Sequence, residues 1–118
     1  MSYDLAVWEG TSPESDLEAD ATFHLLYQRY VESGTASPVT AAIQGFVAAM
    51  LTRWPDLNEQ NLETCPWVTS SFAGNANGPF CYFGIDRSMA AEVSAEAAEV
   101  AAASGLVCFD PQTRSLLS

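Results

Sequence analysis

The sequence predicts an α+β domain, and three observations point there. Short apolar runs with strand character (3–8, 80–85 and 106–109) alternate with longer segments whose apolar residues recur every three or four positions. Clusters of Gly, Pro and Asn punctuate the boundaries between them. The 118 residues suit one domain spanning 1–118, and 48% hydrophobic residues with three Trp, four Tyr and six Phe supply a core that a disordered acidic chain would lack.

Residues 3–8 alternate and read as a strand, with Leu5 and Val7 on one side and Asp4, Ala6 and Trp8 on the other. A turn over 10–13 follows. A first helix starts between 13 and 16, where Ser15 and Glu18 have capping-box spacing, and runs to Ser33 before Gly34. Its apolar stripe is Ala19, Phe23, Leu26, Tyr27 and Tyr30. Ser37-Pro38 opens a second helix with Pro in the first position, and Pro55 stops it. Val39, Ile43, Phe46, Val47, Met50 and Trp54 form its buried stripe. Residues 55–64 are polar, with Leu57 and Leu62 as anchors.

Residues 65–72 read as a second strand, 74–78 as a turn and 80–85 as a third strand, so that 66–85 makes a hairpin. Ser88 caps a third helix over 89–104, Gly105 closes it, and 106–109 is a last strand ended by Asp110-Pro111. The order β-α-α-β-β-α-β, with right-handed crossovers, predicts a four-stranded, mostly antiparallel sheet in the order 4-1-3-2. Three helices then lie on one face, a ferredoxin-like plan with a doubled first helix.

One face of that sheet would be open. Trp8, Trp67, Tyr82 and Phe109 would form an aromatic patch there, unless residues 55–64 or the C-terminal tail fold over it. Strands this continuously apolar normally have both faces covered, by the chain itself, by a second copy or by a partner.

Charge narrows the choice of partner. Fifteen acids against four Arg leave a formal charge of −11. Nucleic acid and anionic membrane are poor partners for such a surface. Residues 1–28 hold six acids (Asp4, Glu9, Glu14, Asp16, Glu18, Asp20) and no Arg, while Glu92, Glu96 and Glu99 line one side of the third helix. Acids in a first helical turn complement the helix dipole, and a solvated face is the plain reading of the rest. The alternative is a field that draws in a cationic protein, such as a nuclease toxin that is basic because it binds phosphates.

Catalytic constellations are missing. The sequence has no GxSxG, HExxH, GxGxxG or P-loop, and its one His, His24, reads as a helix-surface or core histidine. Cys65, Cys81 and Cys108 have no CxxC spacing and read as buried reduced thiols of a cytoplasmic protein. No apolar stretch reaches the roughly 18 residues that cross a bilayer, and the N-terminus lacks the basic and apolar regions of a signal peptide. The expectation is a protein that is not an enzyme and needs no metal or other cofactor.

Several segments carry a resemblance. They are Met-Ser-Tyr-Asp-Leu-Ala-Val-Trp-Glu-Gly at 1–10, Phe23-x-x-Leu26-Tyr27-x-Arg29-Tyr30, Arg53-Trp54-Pro55-Asp56-Leu57 and Cys65-Pro66-Trp67. Gly78-Pro79-Phe80-x-Tyr82-Phe83-Gly84 and Gly105 to Gln112 complete the set. Together they resemble a family of small bacterial, chiefly actinobacterial, proteins akin to candidate immunity proteins of polymorphic toxin systems. The resemblance implies a cytoplasmic protein that neutralises a cognate toxin by contact, and it implies no catalytic residue. Acids on the first and third helices (Asp16, Glu18, Asp20, Glu92, Glu96, Glu99) would then meet the partner, with Trp8, Trp67 and Tyr82 as aromatic anchors. A homodimer through the open sheet face is the alternative, and a small-ligand pocket between sheet and helices a third.

Overall fold

The computed structural model describes residues 2–69 and 71–118. The chain runs β1 (Ser2–Trp8), α1 (Asp16–Tyr27), α2 (Ala41–Arg53), β2 (Ala76–Asn77), β3 (Phe80–Asp86), α3 (Ala90–Ala103), β4 (Val107–Asp110) and β5 (Ser115–Leu116). It is an α+β fold with three α-helices around one antiparallel five-stranded sheet, ordered β2-β3-β1-β4-β5.

The sheet has no open face, which corrects the expectation that all three helices share one side. Leu5, Val7, Cys81, Phe83, Ile85 and Cys108 point to a core shared with α2 and α3. Ala6, Trp8, Phe80, Val107 and Phe109 point the other way, against Ala19 and Phe23 of α1. Every inward position of β1 from Leu5 to Trp8 is buried, so each face needed a cover. Burying an aromatic ring of this kind contributes about 2 kcal/mol, and Phe23 alone packs against the rings of Phe80, Tyr82 and Phe109.

The route between the two faces runs through one side chain. After α1 a π-helical segment, Gln28–Glu32, leads into residues 33–40, which round the sheet edge to α2. Asn77 of β2 holds that passage: its Nδ2 donates to the carbonyls of Tyr30 (3.0 Å) and Thr35 (2.8 Å), and its Oδ1 accepts from Ser37 N–H at 2.6 Å. The same passage moves the start of α2. Pro38 precedes the helix, and Thr40 caps it by accepting from Ile43 N–H. Ser88 does not cap α3: it lies in a 3-10 turn, Arg87–Met89, that leads into the helix, and Asp86 caps that turn, its carboxylate accepting from both the N–H and the hydroxyl of Ser88. At α1 the Ser15 side chain accepts from Glu18 N–H, as the capping spacing predicts.

Residues 65–72 do not form the expected strand, and Ser70 lies outside the described residues. Among the described residues of this segment only 66–68 pair with β3, through the Trp67–Ile85 bridge and bonds from Asp86 N–H to Pro66 O and from Val68 N–H to Gly84 O. In a regular strand Trp67 and Phe72, five positions apart, would face opposite sides. Here both rings enter the same core with centroids 4.1 Å apart. The chain must therefore leave the extended state between them, and Phe72 N–H turns to Asp56 Oδ1 at 2.9 Å. Leu57 and Leu62, expected as anchors of this segment, are exposed.

The tail after Asp110 also differs. Rather than ending the sheet or folding across its face, it turns back as β5 and forms an edge. Leu116 N–H then donates to Asp16 Oδ1 at 2.9 Å, tying the tail to the first turn of α1.

Candidate functional site

The outer face of α1 is the most unusual surface of the fold. A helix lying on a sheet ordinarily turns its apolar stripe inward and charged residues outward. In α1 the inward stripe is present (Ala19, Phe23, and the half-buried Leu26 and Tyr27), but a second one points to solvent. Leu17, Ala21 and Leu25, spaced by four, share one line along the helix. Leu17 is 81% exposed and Leu25 69%.

Acids flank that line. Glu14 and Glu18 are exposed beside Leu17. Asp16 also projects from the first turn, with one carboxylate oxygen committed to Leu116 N–H. Asp20 is half-buried and lies 3.6 Å from His24 Nδ1, which itself meets the Asp20 carbonyl oxygen at 2.8 Å. His24 is thus an exposed helix-surface residue. The first Arg in the chain, Arg29, sits over the Tyr30 ring beyond the end of α1.

The acids of the third helix are elsewhere. Since α1 and α3 cover opposite faces of the sheet, Asp16, Glu18 and Asp20 do not join Glu92, Glu96 and Glu99 in one surface. Glu92 and Glu99 are exposed, whereas Glu96 accepts from Arg53 Nε at 2.8 Å and links α3 to α2.

Of the three aromatic residues expected as surface anchors, Trp8 and Trp67 are interior and Tyr82 is half-buried. Trp8 is 2% exposed between Phe80 and Phe109. Trp67 is 7% exposed, and its indole N–H donates to the Trp54 carbonyl at 2.7 Å. Tyr82 is half-buried against Tyr27, with its hydroxyl donating to Asp4 Oδ2. Burial and the neighbouring Asp4 carboxylate hold the Tyr82 phenol well above its ordinary pKa. The cover over Trp8 and Tyr82 is α1, whereas Trp67 lies in the core on the other side of the sheet, with α2 and α3.

The exposed stripe was visible in the sequence as a second set of apolar positions, 17, 21 and 25, outside the main stripe. Periodicity gives two apolar lines on one helix without saying which faces inward. Aromatic residues on only one of them (Phe23, Tyr27, Tyr30) supply that signal.

Comparison of the chain with protein-family models, with curated proteins and with solved structures found no match. Among the described residues no helix is long and apolar enough to cross a membrane.

Proposed function

We propose that this chain is a binding protein that holds a basic protein partner against the outer face of α1. In keeping with the family resemblance, that partner is a cognate bacterial toxin which the chain neutralises by contact in the cytoplasm. One observation carries the reading: Leu17 and Leu25 stand exposed on one helix face, rimmed by Glu14 and Glu18. An apolar line on a helix is a standard element for insertion into a partner's groove. The acids around it raise the rate of encounter with a cationic surface and discourage anionic ones. Self-association through the same face is disfavoured, because a symmetric dimer would bring two sets of like charges together.

The test is co-expression with a toxin domain encoded beside this gene. Growth should be rescued by the wild-type chain and lost with Leu17→Asp/Leu25→Asp, a pair of solvent-facing changes that leaves the core intact. Rescue that survives the double variant would remove α1 from the interface. A dimer in sedimentation that the same variant dissociates would replace the foreign partner with a second copy.

A further inference from the structure

On the sheet face opposite α1, a cleft of about 430 Å³ opens between the start of β1, the first turns of α3 and the end of β4. Cavities of a few hundred Å³ with a few convergent polar groups are the usual size and character of small-molecule sites. Its polar lining is Tyr3, Arg87, Ser94 and Asp110, and its apolar wall includes Ala91 and Leu117.

Three features of that lining are unusual. Asp110 is a carboxylate only 3% exposed, yet none of the four Arg forms an ion pair with it. Its Oδ1 is saturated by Gln112 N–H, Gln112 Nε2 and Thr113 N–H, while Oδ2 accepts only from the Tyr3 hydroxyl. Ser94 Oγ is the one buried side-chain oxygen among the described residues that lacks a partner. A helical serine commonly bonds back to the carbonyl four residues earlier, and Ser94 does not. Arg87, finally, shares the cleft with Asp110 without pairing to it, and its charge acts on the Tyr3 hydroxyl.

The free valences define a ligand. Because the Tyr3 proton is committed to Asp110, the phenol oxygen and Asp110 Oδ2 each keep a lone pair with which to accept from a ligand donor. Arg87 offers donors to an anion, and the Ser94 hydroxyl can serve either. We propose that this cleft binds a small aliphatic amino acid, its ammonium on Asp110 and Tyr3, its carboxylate on Arg87 with Ser94, and its side chain against Ala91 and Leu117. The two unpaired charges of opposite sign set this class apart from a simple anion or amine. The site lies across the sheet from α1 and stands independently of the partner surface.

The experiment is a titration of the full chain with L-leucine, followed by backbone amide NMR, with isocaproate and isoamylamine as the two half-ligands. L-Leucine should shift the amides of Tyr3, Ser94 and Asp110 saturably, and each half-ligand should bind at least roughly tenfold more weakly, as loss of a charge-assisted hydrogen bond predicts. Ser94→Ala and Arg87→Met should each weaken binding to a similar degree, whereas Leu17→Asp/Leu25→Asp should leave it unchanged. Ser94→Ala keeps the fold, since it only removes an unpartnered hydroxyl. No saturable shift up to concentrations on the order of 100 mM, beyond any useful affinity, would overturn the proposal. So would isocaproate binding as tightly as L-leucine, or affinity indifferent to both Ser94→Ala and Arg87→Met.

Discussion

The side-chain amide of Gln112 takes the place of a missing strand neighbour for Asp4. Its Oε1 accepts from Asp4 N–H at 2.6 Å, and its Nε2 donates to the Asp4 carbonyl at 2.7 Å. The reason lies one residue earlier. β4 pairs with β1 from Trp8 to Ala6, and the next partner in register, opposite Asp4, would be Pro111, which has no N–H. The Gln112 amide carries one donor and one acceptor, as a peptide unit does, and its Nε2 also reaches Asp110 Oδ1. Gln112→Ala should therefore lower stability by about 1–3 kcal/mol, the cost of leaving backbone groups and a carboxylate short of partners. Urea unfolding measures it, and an unchanged midpoint would show that water replaces the amide without loss.

Two glycines should respond in opposite directions to the same substitution. Gly78 has φ +56°, and a Cβ there would lie 2.8 Å from Tyr30 Cε1, so Gly78→Ala should cost at least about 1–2 kcal/mol. Gly45 lies inside α2 with open space around it, so Gly45→Ala should stabilise by about 0.5–1 kcal/mol. Thermal melts of the two variants give the comparison directly.

Alkaline pH should destabilise the fold before general denaturation. The hydrogen bond to Asp110, with burial, pushes the Tyr3 phenol from 10.0 up to about 12, and burial pushes the Cys108 thiol from 9.0 up to about 12. In that window the unfolded chain has lost protons that the folded chain retains, so stability falls as pH rises. The contribution is complete below pH 9 and is lost on approaching 12. Melting temperature recorded across that range should decline, and Tyr3→Phe should flatten its upper part. A decline identical in Tyr3→Phe would place the effect elsewhere.

Charge reversal should separate the two acidic regions. Glu14→Lys with Glu18→Lys should slow association with a basic partner and flatten its salt dependence. Glu92→Lys with Glu99→Lys, on the opposite side of the molecule, should change the on-rate far less. Stopped-flow measurements at low and high salt distinguish them, and equal effects from both pairs would mean that overall charge, not α1, steers the encounter.

Much of the fold was legible because local signals agreed with it. The alternation of β1, the Ser15 cap, the run from Phe80 to Ile85 and the central order β3-β1-β4 were readable by period, punctuation and crossover handedness, whereas the edge strands β2 and β5 were not. The placement of α1 was not. It depends on whether aromatic residues on the second face of the strands are left to a partner or covered by the chain, and periodicity is silent on that. The loss of the 65–72 strand was hidden for a related reason: Trp67 and Phe72 must share a core, a tertiary demand that overrides local strand propensity. The acids were legible as a set, but only the fold shows that two groups of them face apart. Leu17 and Leu25 were present in the pattern and unassigned, since an apolar residue on a helix is ordinarily counted toward the interior.

The sheet divides the apolar interior into two rooms, and α1 is the main wall of one of them, with Tyr30 and Leu116 at its margins. Opening that wall uncovers Trp8, Phe80 and Phe109 while α2 and α3 stay seated on the other side. Such a molecule has a sub-global opening available at lower free energy than complete unfolding. Native-state amide exchange should accordingly be faster along α1 than along α3, and uniform exchange in both helices would mean that the two rooms open only together.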